Sequence, residues 1–303
     1  MDKTGLIEGV VREWARRGWT AAALPDGTGW QLAQDARVLY INANRHWLYL
    51  TLPVVGESPS DAGGYGALLR LCHRCFMTKY SLGDGSQVLL QVEIPLDHLS
   101  RHDCHKAFEA TTVYAERHGS VMARRRISAT VERAWGDPIV ESAERETEIF
   151  SLEALGRFFS TVEHQGWGVR DRPGLNRWKA VYKGHERSFD VYLSFDRSWA
   201  YFQAPLLGDT CTLGSPSNAC QAVFYPYLLK LNEQMYWAKI GLDEDGQVLL
   251  LLEMPLEMFD LPRFRRAVQT LATYADAYAY DIQIMANLDQ DRRLVTLLSK
   301  QDA

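Results

Sequence analysis

The chain repeats itself, and no other feature constrains its fold as strongly. Gln87-Val88-Leu89-Leu90-Gln91-Val92-Glu93-Ile94-Pro95-Leu96 is matched by Gln247-Val248-Leu249-Leu250-Leu251-Leu252-Glu253-Met254-Pro255-Leu256, a shift of 160 positions. The same shift pairs Leu68-Leu69-Arg70-Leu71 with Leu228-Leu229-Lys230-Leu231, Lys79 with Lys239, and Tyr114-Ala115-Glu116 with Tyr274-Ala275-Asp276. Toward the start of each copy the shift shortens, as different loop lengths require. Arg45, Trp47, Tyr49 and Pro53 pair with Arg197, Trp199, Tyr201 and Pro205, and Gly18-Trp19 pairs with Gly166-Trp167. Matches that keep their order through two loop adjustments mark a duplication, so the chain is expected to fold as two versions of one domain. The first version spans residues 1–120, a linker 121–149, and the second 150–303 with a C-terminal tail helix.

Each copy opens with an amphipathic helix. Leu6, Ile7, Val10, Val11 and Trp14 fall at helical spacing, as do Leu155, Phe158, Phe159 and Val162. Gly18 and Gly166 follow as C-caps. A strand around Trp30 or Trp178 comes next, then a hairpin over 38–52 or 189–204 rich in β-branched and aromatic residues. A second helix is expected at 63–76 and 219–234. Strands 77–82 and 87–94 follow, and 236–242 with 247–254, turned by Gly83-Asp84-Gly85 and Asp243-Glu244-Asp245-Gly246. A third helix closes each copy at 99–117 and 260–277, and Asp291 to Leu298 reads as a separate amphipathic tail helix. The predicted order is α-β-β-β-α-β-β-α, twice. Strands joined by hairpins make the sheets antiparallel, with helices packed on them, an α+β fold.

Composition sets outer limits. The hydrophobic share is 47% and the charged share 23%, ordinary for a globular chain. No apolar run reaches the length of about 18 residues that a membrane-spanning helix needs, so no membrane partner is expected. The N-terminus passes directly into an amphipathic helix, without a secretory leader pattern. Five cysteines at unrepeated spacings point to a reducing cytoplasm rather than a disulfide framework. A net charge of −5 argues against direct nucleic-acid binding, which needs a basic surface. Arg124-Arg125-Arg126 is too short a basic run to reverse that, and reads as part of a solvated linker.

Each half resembles the YbjN family, whose domain is similar to type III secretion chaperones. The resemblance rests on the element order and on Leu228-Leu229-Lys230-Leu231-Asn232, Lys239-Ile240-Gly241-Leu242-Asp243, and Gly246-Gln247-Val248-Leu249 running to Glu253-Met254-Pro255-Leu256. The first half departs from this pattern, with Cys72 in place of the asparagine and Ser81 in place of the glycine. The resemblance implies a non-catalytic protein that escorts a protein client, often as a dimer. A homodimer, or an internal pseudo-dimer of the two copies, is expected.

Sharper chemical readings weaken on inspection. Cys72-His73-Arg74-Cys75 with His102-Asp103-Cys104-His105 has the look of a zinc site. Its positions, however, pair with Asn232, Met235 and Phe264 in the sister copy, two of them core-like, so buried free thiols are expected and no metal or cofactor. No nucleophile elbow, phosphate loop, metalloprotease or dinucleotide motif is present, so no enzyme is expected and no catalytic residue is named. Glu93 and Glu253 recur before a proline, and read as solvent-facing strand residues.

The aromatic pattern of the hairpins carries more. With a loop at 43–46, Tyr40 faces Tyr49 with Trp47 beside them, and Tyr192 faces Tyr201 with Trp199 beside them. Leu39, Ile41, Leu48 and Leu50 point to the opposite face. Both faces are therefore apolar and both need cover. The six aromatic residues are the candidate client- or interface-binding set. The strand 248–252, apolar on both faces, is expected to be more buried than 88–93. The function expected from all this is an escort or adaptor for a protein client, itself a basic or nucleic-acid-handling protein on charge grounds. A ligand-sensing regulator is the alternative.

Overall fold

The computed structural model describes residues 3–25, 27–54, 59, 61–97, 99–123, 167–174, 177–184, 187–195, 199–207, 218–256 and 259–301. The expected helix with Leu155, Phe158, Phe159, Val162 and Gly166, and the Arg124–Arg126 triplet, lie outside them.

The first copy runs α1 (Lys3–Arg16), β1 (Thr20–Ala23), β2 (Gly29–Gln34), β3 (Arg37–Ala43), β4 (Trp47–Pro53), α2 (Ala62–Arg74), β5 (Thr78–Leu82), β6 (Val88–Pro95) and α3 (Arg101–Ala123). The second runs β7 (Trp167–Gly174), β8 (Arg177–Lys183), β9 (Ser188–Phe195), β10 (Trp199–Pro205), α4 (Asn218–Gln234), β11 (Lys239–Leu242), β12 (Val248–Pro255) and α5 (Leu261–Gln301). Each copy forms a six-stranded, wholly antiparallel sheet. The strand orders are β1-β2-β3-β4-β6-β5 and β7-β8-β9-β10-β12-β11, the same path taken twice.

Each copy thus has one strand more than the predicted order. β1 is Thr-Ala-Ala-Ala with all four residues exposed, so it shows no alternation and little β propensity. β7 carries glycine, proline and charge, and pairs with β8 through two register irregularities. Both are edge strands, where packing rather than pattern decides. The tail also differs from expectation: it is no separate helix but the continuation of α5, which runs unbroken to Gln301.

The elements form for local reasons. α1 buries Ile7, Val10, Val11 and Trp14 along one stripe. It ends where Gly18 takes φ +95°, a left-handed backbone that costs glycine little, and its N–H reaches the Ala15 carbonyl at 3.2 Å. The β3–β4 turn is pinned by Asn44, whose Oδ1 accepts from the N–H groups of His46 and Trp47, both at 2.8 Å. The Asn44 N–H also reaches the Trp47 carbonyl at 3.0 Å, which leaves Arg45 and His46 at the tip and moves the register by two. Asn42, not Tyr40, faces Tyr49, and Tyr40 faces Thr51. In the second copy Ser194 faces Tyr201 and Gln203 faces Tyr192. A two-residue slip preserves which side chains share a face.

The chain divides into two compact units whose borders do not follow the duplication. Of the described residues, one unit holds those within 1–60, 74–123 and 229–237, and the other those within 61–73, 167–228 and 238–301. In the first unit the inner sheet face carries Leu39, Ile41, Leu48, Leu50, Leu90 and Val92, all buried, under α1 and α3. Trp14 stacks on Phe108 there with ring centroids 4.0 Å apart. In the second, Val191, Leu193, Phe202 and Ala204 are buried, and Phe264 of α5 lies 6.0 Å from Phe202. Every residue of β12 is buried, whereas β6 alternates in its first half.

Candidate functional site

The outer face of the first sheet holds three of the six predicted aromatics. Tyr40, Trp47 and Tyr49 are half-buried there. Cover for Trp47 and Tyr49 comes from the other copy. Tyr236, just past the end of α4, stacks on Trp47 at 5.7 Å and 21° and meets Tyr49 edge-on at 5.8 Å. Trp237 follows with φ +64°, a left-handed residue that brings its ring to 6.4 Å from Trp47. Burial and the Tyr236 hydroxyl push the Tyr49 phenol up to about 12, while Asn44 Nδ2 donates to it at 2.5 Å.

Beside these rings the same face carries a buried ion pair that sequence reasoning missed. Lys79 Nζ lies 2.8 Å from Glu93 Oε1, and both side chains are nearly inaccessible, 3% and 6% exposed. The ammonium also donates to the Met235 carbonyl at the end of α4. One turn earlier Asn232 Nδ2 donates at 3.0 Å to the Tyr80 carbonyl on the edge strand β5. The expectation that Glu93 and Glu253 face solvent is overturned: Glu253 pairs in the same way with Lys239 at 2.8 Å. Burial pushes the Glu253 carboxyl up, and Lys239 opposes that shift. A signal was present, since Lys79 and Lys239 recur at the repeat shift. Reading it needed knowledge of which sheet face is covered.

The second sheet's outer face is arranged differently. Trp199 is buried, while Tyr192 and Tyr201 are half-buried. Tyr192 lines a half-open groove of about 420 Å3 with Asp190, Gln203, Pro205, Gln247 and Leu249. The charged groups at this groove have neighbours of their own. Asp190 receives Lys179 at 2.7 Å, and Asp243 Oδ1 accepts the Gln247 N–H at 2.7 Å. Arg187 donates to the Leu206 carbonyl and to Gln283, with its guanidinium 4.7 Å over the Phe189 ring. The groove is thus lined by amide, phenol and charged groups together with proline and leucine.

Of the predicted cysteine and histidine positions, the three cysteines are buried, His73 and His105 are half-buried and His102 is exposed. Cys72, Cys75 and Cys104 are free thiols, each no more than 1% exposed. Burial, with Asp103 nearby, pushes the Cys104 thiol up to about 12. His105 accepts from Trp14 Nε1 at 3.0 Å on Nδ1, which leaves Nε2 to donate to Glu13 at 2.9 Å. Burial, then Arg17 and Arg101, holds its pKa below the ordinary value. His118 is bonded through Nδ1 to the Tyr80 hydroxyl, with Cys75 Sγ at 3.9 Å, and burial lowers it to about 3. Among the described residues no three of these ligand types converge. No described helix is long and apolar enough to cross a membrane.

No family model matches the sequence, and no curated protein does. Among solved structures the chain is similar to one in the crystal structure of the ExsC–ExsE complex. The two are 17% identical over 41% of this chain and 98% of that one, with a TM-score of 0.30.

Proposed function

We propose that this chain is a non-catalytic protein-binding module, an escort or adaptor that holds an extended segment of a partner protein along the outer face of its second sheet. The observation that carries the reading is the groove at Tyr192, about 420 Å3, half-open and walled by Gln203 and Gln247. Its polar groups suit a peptide backbone, while Leu249 and Pro205 suit alternate apolar side chains. On this reading the chain is a tandem relative of YbjN proteins, with a secretion-chaperone-like domain in each copy, working in the cytoplasm. The three buried free thiols support a reducing compartment. A basic partner fits the net charge of −5.

An affinity pull-down tests it, with Tyr192→Ala/Gln203→Ala beside the native chain. The expected result is one partner whose capture falls about tenfold in the variant, the loss of a ring contact and a hydrogen bond together. A partner retained in full by the folded variant contradicts the site.

A ligand-sensing regulator is the second reading, favoured by the same volume, which falls in the range of small-molecule sites. A metabolite retained by the purified chain in native mass spectrometry, and lost from the Tyr192→Ala/Gln203→Ala variant, would select it.

A further inference from the structure

Every helix ends with carbonyl groups that have no partner inside the helix and that carry the negative end of its dipole. A buried ammonium is the complementary group, provided a carboxylate keeps it charged. The first unit shows that arrangement complete. Lys79, held by Glu93 at 2.8 Å, donates to the Met235 carbonyl where α4 ends, and Asn232 donates to the edge carbonyl of Tyr80. The helix end belongs to the second copy and the sheet to the first.

The second unit shows the same ion pair and a helix end beside it, with Cys72 where the first has Asn232. Lys239 and Glu253 stand 2.8 Å apart at the equivalent positions of β11 and β12, both buried. Gly241 is two residues beyond Lys239 and so lies on the same face of β11. A Cβ built on Gly241 would stand 2.9 Å from the His73 backbone nitrogen and 3.1 Å from the Leu69 carbonyl oxygen. The last turn of α2, from the first copy, therefore rests against the backbone of β11. Farther up the same helix, a Cβ on Gly66 would stand 3.0 Å from the Tyr225 ring of α4. In both units a helix end from one copy lies on the lysine-bearing edge strand of the other.

We propose that each buried Lys–Glu pair is a receptor for the C-terminal end of the helix supplied by the other copy, so that neither copy covers the outer face of its own sheet. Lys239 caps the last carbonyls of α2 as Lys79 caps those of α4. The outer face at Trp47 and Tyr49 is then reserved for Leu229–Trp237 of the same chain and is closed to any partner.

Hydrogen exchange on the full chain tests this with two paired variants, Lys79→Met/Glu93→Leu and Lys239→Met/Glu253→Leu. Each removes both charges and leaves no unpaired ion. The first is expected to speed exchange about tenfold over 229–237 and not over 69–75, the cost of one charge-assisted hydrogen bond. The second is expected to do the reverse. Faster exchange confined to the strands that carry the substitutions, with both helix ends unchanged, would overturn the proposal. Should a paired variant not fold, Asn232→Ser keeps both ion pairs and must still speed exchange over 229–237; unchanged exchange there overturns the proposal.

Discussion

At the scale of single residues, four of the buried charged groups among the described residues form two equivalent pairs. Removing one partner leaves an uncompensated ion in a dry site. Lys79→Met is therefore expected to destabilise the chain by about 3–5 kcal/mol, and Lys79→Met/Glu93→Leu to recover most of that loss. Denaturant unfolding checks both; a single variant as stable as the native chain would show that the pair is solvated. His118 gives a pH prediction with a fixed sign. Its folded pKa lies near 3 against an ordinary 6.5, because burial disfavours the charged ring. Below pH 6.5 the unfolded chain takes up a proton that the folded chain refuses. Stability then falls as pH drops, by about 1.4 kcal/mol per unit until the folded pKa is reached. His118→Phe should flatten that slope in urea titrations between pH 7 and 4; an unchanged slope would show that other groups set it. The sequence revealed that Lys79, Lys239, Glu93 and Glu253 recur, but not that they meet. A recurring charged residue looks alike whether solvated or buried, and only the covering element distinguishes the two.

At the scale of elements, periodicity was a good guide wherever one face meets a core. α1 and the two central hairpins follow their apolar spacing closely. Face assignment also came through: Leu39, Ile41, Leu48 and Leu50 are buried while Tyr40 and Tyr49 share the other side. Register did not, because it was set by the Asn44 side chain rather than by hydrophobic pattern. The edge strands β1 and β7 were illegible for a related reason: one is all exposed, the other broken by proline and charge. Glycine at 241 is where an element's fit rests on one residue. Gly241→Val would drive methyl groups into the backbone of α2, and an overpacked contact of this kind costs about 1–3 kcal/mol. A lowered unfolding midpoint checks this; an unchanged one would mean that α2 stands farther from β11.

At the scale of the whole molecule, duplication was legible and its consequence was not. Two sheets with one strand order follow from the repeat. The compact units, however, take residues 229–237 into the first sheet's unit and 61–73 into the second's. A sequence match shows which residues are equivalent, and not whether an element packs on its own copy or on the other. This decides the functional reading, because it covers the aromatic face of the first sheet and leaves the groove of the second. On the proposed function, a partner protein enters at Tyr192 and not at Tyr49. A benzophenone amino acid placed at position 192 or 49, and photolysed in cells, tests it most directly. One protein adduct is expected from position 192 and none from 49. An adduct from 49 alone would contradict it, and so would the absence of any adduct from a folded chain.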